Sequence, residues 1–167
     1  MKVIDIHTHG IGGYDTRSKK AEDILKIAEI FGSQGISEII PTIYPSSIKV
    51  MRENMMSVKK AMERQRDISN PPLPPFNSPL SKGGYRGVKA GSGGIINSKL
   101  SPQASRRGDR TPNSKTSLIL GVHLEGPFLN PAKCGALDAR AFLKPTEYNF
   151  RQLTEGFEDI VKIITIA

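Results

Sequence analysis

The sequence predicts an α/β fold built on a parallel sheet. Four short apolar runs alternate with three segments in which apolar residues recur at helical spacing. Alternation of this kind favours parallel strands that are joined by right-handed helical crossovers. Two of the apolar runs also end in histidine or glutamate side chains. A buried parallel strand delivers polar groups to a site at its carboxyl end in this way.

The four predicted strands span residues 3–6, 36–44, 118–122 and 160–167. In the first strand, the two-residue period places Asp5, His7 and His9 on one side of the chain. Three glycines follow and predict a flexible turn whose backbone can approach a ligand closely; they are Gly10, Gly12 and Gly13.

Three predicted helices separate these strands. Caps are expected at Ser18 for the first helix, at Ser46 or Ser47 for the second and at Thr146 for the third. We interpret the apolar stripe of the second helix as core packing rather than as a ligand surface. That stripe consists of Ile48, Met51, Met55, Val58 and Met62.

Length and cysteine content limit the class of protein. The chain has 167 residues, enough for one domain with a sizeable core. Its single cysteine, Cys134, cannot form an intramolecular disulfide, and a reducing cytoplasm is the natural compartment. A membrane partner is not expected, because no secretory signal and no run of about 18 apolar residues is present.

Residues 69–116 interrupt the periodic pattern with proline, glycine and basic residues, and we expect a disordered insertion there. Between 70 and 117 lie eight basic residues and one acidic residue, so this segment carries most of the formal charge of +8. The basic residues are scattered, which disfavours a nucleic-acid partner. We interpret the insertion as a solvated, tolerated segment without a selected role. Two binding alternatives stay open: contact with RNA or a phosphate backbone, or a polyproline ligand at 71–75.

His7, His9 and Glu125 are the candidate metal ligands. Two imidazoles at the end of one strand can bind a single divalent ion, and a carboxylate at the end of another strand can complete the set. The alternative is structural, since a strand-end histidine or a carboxylate before Gly126-Pro127 can simply hydrogen-bond the backbone. His123 is expected to point away from the ligands or to lie behind them.

Two stretches resemble a known family. Val3 to Asp15 (VIDIHTHGIGGYD) and Gly121 to Asp138 (GVHLEGPFLNPAKCGALD) are similar to the signature regions of N-acetylglucosamine-6-phosphate deacetylase, in the amidohydrolase superfamily. The resemblance covers about 1–68 and 117–167. It implies the amino-terminal half of a distorted (β/α)8 TIM barrel, with about its first four strands: strands one and two in 1–68, and strands three and four in 117–167.

The resemblance also implies a reaction. His7 and His9 would hold one divalent ion, zinc or iron, and Glu125 would bind a second ion or bridge the two. The ion would activate water to attack the acetamide of N-acetylglucosamine 6-phosphate, which would release acetate and glucosamine 6-phosphate. The backbone at Ala136 and Leu137 would lie along this phosphorylated amino sugar, although many family members have histidine where Leu137 stands.

No catalytic residue is assigned within these 167 residues. The family takes its general base, an aspartate, and two further histidine ligands from later strands. We therefore expect a truncated or split product with little activity alone, whose open strand edges pair with a complementing carboxyl-terminal half or with a second copy.

Two other functions stay open at this stage. One is a non-catalytic remnant that binds a partner through its basic insertion. The other is an amidohydrolase that acts on a cyclic amide. Deleting residues 70–116 separates the first of these from the enzyme, because the deletion spares metal binding in an enzyme and abolishes partner binding in a remnant.

Overall fold

A computed structural model describes residues 2–69 and 116–167. The predicted insertion at 69–116, and the binding alternatives assigned to it, fall outside the described residues except at its two ends. The strands and helices are β1 (Ile4–Thr8), β2 (Gly10–Ile11), β3 (Tyr14–Asp15), α1 (Ala21–Ser33), β4 (Glu38–Ile43), α2 (Ile48–Ser69), β5 (Leu118–Ile119), β6 (Val122–Glu125), α3 (Glu147–Thr154) and β7 (Val161–Thr165).

The main sheet is parallel and confirms the predicted α/β class. Its strand order is β1, β4, β6, β7, and β5 also pairs with β4. The carboxyl ends of these four parallel strands, including the two that carry the candidate ligands, therefore lie at the same edge of the sheet. Closure of this sheet as part of a (β/α)8 barrel stays a prediction.

The predicted third strand is wrong in its bounds. It divides into β5 and β6 around Gly121, and β6 extends as far as Glu125, three residues beyond the predicted end at 122. Gly121 has a φ of +155°, and a Cβ there would lie 2.2 Å from the carbonyl oxygen of Ile160. Only glycine permits this close approach to the segment before β7.

Two other local predictions hold only in part. Gly12 and Gly13 form the predicted turn, but it joins the strands of a short antiparallel hairpin, β2 with β3, and Gly10 lies in β2 rather than in the turn. The cap position of α1 is Lys20 rather than Ser18. The hydroxyl of Ser18 donates to the carboxylate of Asp23 at 2.5 Å and accepts from the backbone of Lys20, so it stabilises the approach to the helix instead.

The core lies between the sheet and the helices. The stripe of α2 is buried as predicted, with only Ile48 partly exposed. Ser47 accepts a hydrogen bond from the backbone of Val50 at 3.4 Å, as a capping residue does. The largest fully buried apolar side chains are Ile24, Ile27, Ile39, Ile43, Met51, Met55, Leu124, Leu153 and Ile160.

The spacing of Phe150, Leu153 and Phe157 predicts one helix that includes all three, but α3 ends at Thr154, before Phe157. Gly156 follows it with a φ of +80°, and the chain turns there so that Phe157 reaches the core from outside the helix. The predicted cap is confirmed, because the Thr146 hydroxyl accepts a hydrogen bond from the backbone of Asn149 at 3.2 Å.

Replacing Thr146 by alanine is expected to lower the free energy of unfolding by about 1 kcal/mol, because the Asn149 amide loses its acceptor. Urea denaturation measures this change. A Thr146→Ser variant keeps the hydroxyl and serves as the control. Equal losses in the two variants would contradict the capping role.

Among residues 2–69 and 116–167, no helix combines the length and the apolar character that a membrane span requires.

Candidate metal centre

Strand order brings the predicted ligands together. Only β4 separates β1 from β6 in the sheet. His7 lies near the end of β1, His9 directly follows that strand, and Glu125 is the last residue of β6. The Nε2 atom of His9 lies 3.0 Å from Oε2 of Glu125, and the Nε2 atom of His7 lies 3.6 Å from Oε1 of the same carboxylate.

The geometry of these three side chains fits a metal ion. Each offers one ligand atom, and the three atoms lie within 4.8 Å of one another. Oε2 of Glu125 is buried, and its 3.0 Å contact with Nε2 of His9 does not have the geometry of a hydrogen bond. Among the described residues this oxygen therefore has no hydrogen-bond donor, which is costly for a carboxylate that binds no cation. Two imidazoles and one carboxylate form a donor set that suits zinc or iron. The described cluster consists of these three groups, and their ligand atoms are close enough together to hold one ion.

Burial favours the neutral form of His9. It lowers the pKa of this imidazole, and the neighbouring His7 acts in the same direction, whereas Glu125 opposes them. A neutral imidazole has a free lone pair for a metal ion. Proton competition at His9 is therefore weak near neutral pH.

His123 lies behind the ligands, which is one of the two placements predicted for it. Its ring centroid is 5.0 Å from that of His7, and the two rings meet edge to face. Nδ1 lies 3.0 Å from the carbonyl oxygen of Ile6, and Nε2 lies 2.8 Å from the hydroxyl of Thr165. Both nitrogens are thus occupied, and the side chain ties β1 and β7 to β6 instead of binding an ion.

Three further residues at the site were not among the sequence-based candidates. The ring of Tyr44 stacks on that of His9, with a centroid separation of 3.8 Å and an interplanar angle of 21°. The guanidinium carbon of Arg17 lies 5.0 Å from the centroid of the same tyrosine ring. The carboxylate of Asp15 accepts from Nε of Arg17 at 3.0 Å and from Nη2 at 2.6 Å.

The pair of Asp15 and Arg17 is ionised at neutral pH. Burial acts to raise the pKa of Asp15, but hydrogen bonds from Arg17 and its charge outweigh that effect and hold the pKa below its usual range. Burial also raises the pKa of Tyr44, and the charge of Asp15 adds to this, so the phenol is neutral. The only signal in the sequence was position, because Tyr44 is the last residue of the second predicted strand and the pair follows the first.

Ala136 and Leu137, the predicted substrate contacts, lie apart from the ligand cluster on the wall of a cleft of about 330 Å³. The cleft adjoins the ligand cluster, because Tyr44 lines the cleft and also stacks on His9. Its volume is in the range of small-molecule sites, ~300–1,000 Å³. The lining residues are Arg17, Tyr44, Pro45, Ser46, Val50, Asn54, Ala136, Leu137 and Asp138.

The sequence matches no protein-family model and no curated protein. Solved structures do match. An N-acetylglucosamine-6-phosphate deacetylase from Thermotoga maritima has a TM-score of 0.59 at 20% identity, and the match covers 98% of this chain and 30% of that one. The Pasteurella multocida enzyme of the same name has a TM-score of 0.60 at 15% identity, covering 99% and 30%.

A third match contains a ligand. It is a D267A variant of N-acetyl-D-glucosamine-6-phosphate deacetylase from Mycobacterium smegmatis in complex with N-acetyl-D-glucosamine-6-phosphate, with a TM-score of 0.60, 16% identity, and coverage of 99% and 30%. Likeness at this identity establishes the fold. The chain therefore shares its fold with one part of the N-acetylglucosamine-6-phosphate deacetylases and spans about a third of their length.

Proposed function

We propose that this chain supplies the metal centre of an amidohydrolase that removes acetate from N-acetylglucosamine 6-phosphate. The observation that carries the proposal is the convergence of His7, His9 and Glu125 at the carboxyl edge of a parallel sheet. The structural likeness to deacetylases supports the same reaction class, and the ligand of the M. smegmatis structure supports a phosphorylated amino sugar as substrate.

Each part of the site has a distinct role in this proposal. The two histidines and the glutamate hold a divalent ion, zinc or iron, which when bound supplies a Lewis acid for the amide carbonyl and for water. The cleft beside Tyr44 receives the sugar along the backbone of Ala136 and Leu137. In this proposal the acetamide then lies beside the ligand cluster, on the side where Tyr44 stacks on His9.

Proton transfer requires a group that the described cluster does not contain. Glu125 is its only carboxylate, and that side chain is a ligand in this proposal. A complementing carboxyl-terminal half, or a second copy of the chain, is the proposed source. Within residues 2–69 and 116–167, strands β1 and β7 are each paired on one side only. Exposed apolar side chains lie on or beside them, at Ile4, Ile6 and Ile166.

Calorimetric titration with Zn²⁺ and anaerobic titration with Fe²⁺ test the metal centre. We expect one ion to bind per chain, because the three ligand atoms surround one position. A chain that binds no ion would contradict the proposed function.

Release of acetate from N-acetylglucosamine 6-phosphate tests the reaction, with a cyclic amide as the control substrate. We expect little or no turnover by the 167-residue chain alone, since the described cluster offers no second carboxylate for proton transfer. Substantial turnover by that chain alone would contradict the need for a complementing half. Hydrolysis of the cyclic amide instead would contradict the substrate class.

A further inference from the structure

The imidazole of His9 lacks the contact that usually fixes a metal-binding histidine. Such a histidine almost always donates its second ring N–H to a carboxylate, a carbonyl oxygen or water, which sets the orientation of the ring. Nδ1 of His9 is buried and makes no hydrogen bond of acceptable geometry among the described residues. The carbonyl oxygen of Thr42 faces this ring and raises its pKa slightly against the effect of burial, but the contact does not have the geometry of a hydrogen bond; the close donor to that oxygen is the hydroxyl of Thr16, at 2.6 Å.

Tyr44 provides the close contact that the ring does have. At a centroid separation of 3.8 Å and an angle of 21°, the two rings overlap face to face, which restricts rotation of the imidazole about its χ2 angle. Tyr44 is the residue directly after β4, the strand between the two that carry the ligands. Its ring is therefore placed by the centre of the sheet rather than by a free loop.

The tyrosine ring is itself held by a residue that follows the hairpin formed by β2 and β3. The guanidinium of Arg17 packs on it at 5.0 Å, a distance at which a cation is attracted to an aromatic face. Asp15 fixes that guanidinium through two hydrogen bonds, from Nε and Nη2. The backbone of Thr16 donates to the carbonyl oxygen of His9 at 3.0 Å, so the same hairpin also fixes the main chain of the ligand.

We propose that Tyr44 is a positioning residue for the metal centre, whose ring, held by Arg17, keeps Nε2 of His9 directed at the ion shared with Glu125. Stacking thus takes the place of the second hydrogen bond at this histidine. The inference rests on the proposed function, because it assigns Tyr44 a role toward the ion that His9 binds. The phenol oxygen has no part in it.

Three variants test this role in the full 167-residue chain. Tyr44→Leu removes the ring, Tyr44→Phe keeps the ring and removes the hydroxyl, and Tyr148→Leu makes the same change at an exposed tyrosine of α3. We expect Tyr44→Leu to weaken Zn²⁺ binding about tenfold, as loss of an outer-shell partner does. Tyr44→Phe and Tyr148→Leu are expected to bind Zn²⁺ like the unchanged chain.

Two spectroscopic readouts separate positioning from general stability. With Co²⁺ in the site, the visible absorption bands of Tyr44→Leu should shift, because the ligand geometry changes, whereas those of Tyr44→Phe should not. In the ion-free chain, the ring-proton resonances of His9 should be displaced by the stacked ring, and Tyr44→Leu should abolish that displacement. Circular dichroism confirms that each variant is folded.

The outcomes are distinguishable. A folded Tyr44→Leu variant with unchanged Zn²⁺ affinity and an unchanged Co²⁺ spectrum overturns the inference and leaves the proposed function intact. Equal loss of affinity in Tyr44→Phe and Tyr44→Leu also overturns it, because the hydroxyl would then be responsible. An unchanged chain that binds neither Zn²⁺ nor Co²⁺ overturns the proposed function and this inference together.

Discussion

Replacing Glu125 by glutamine is expected to weaken Zn²⁺ binding by at least about 100-fold, beyond the 10–100-fold that loss of an outer-shell partner costs. The carboxylate lies 3.0 Å from His9 and 3.6 Å from His7, so it is the one anionic ligand that both imidazoles face. A neutral amide keeps the shape of the side chain but removes the charge that offsets a divalent ion. Calorimetric titration of the two proteins measures the ratio of their dissociation constants.

A matched control for this variant lies on α1. Glu29 is exposed and pairs with Lys26 at 2.7 Å, and Glu29→Gln makes the same chemical change away from the sheet edge. We expect its Zn²⁺ affinity to equal that of the unchanged chain. If Glu125→Gln bound Zn²⁺ as tightly as Glu29→Gln does, the three-residue centre would be wrong.

The largest effect on stability is expected for Leu124→Ala, about 3 kcal/mol within the ~2–5 kcal/mol typical of buried leucines. Leu124 is fully buried, and its register partners on the neighbouring strands are Ile43 and Ile164. Truncation removes apolar contacts in the middle of the sheet and leaves a cavity. Because the residue lies between His123 and Glu125, the same change should also loosen the metal centre.

Leu118→Ala is the control for Leu124→Ala. Leu118 is also a strand residue but is 50% exposed, so its truncation should change the free energy of unfolding by no more than about 0.5 kcal/mol. Urea denaturation of both variants measures the difference. Equal losses at the two positions would contradict the placement of Leu124 in the core.

Local pattern was sufficient for much of this fold. The alternation of apolar runs with helical spacing predicted the parallel sheet, and the stripe of α2 predicted its buried face, because both follow from periods of two and 3.6 residues. The candidate ligands were also accessible from the sequence. Strand ends of a parallel sheet share one edge, so residues that end two apolar runs are expected to lie close together.

Local pattern failed where a distant segment determines the conformation. The break at Gly121 depends on the carbonyl oxygen of Ile160, which lies 39 positions away along the chain and becomes a neighbour only after folding. The bounds of β5 and β6 therefore could not be read from residues 118–125 alone. The end of α3 was also not predicted. The chain turns at Gly156, and this turn, rather than a further helical turn, brings Phe157 into the core formed with other elements.

The sequence by itself determined the parallel α/β class, the core stripe and the three side chains that could bind an ion. Only the tertiary structure decided what surrounds those side chains: Tyr44 against His9, Arg17 against Tyr44, and His123 between two strands. The physical reason is that periodicity reports which face of an element is buried. Which side chains then meet at a sheet edge depends on strand order and register, and these are fixed by contacts between elements far apart in the chain.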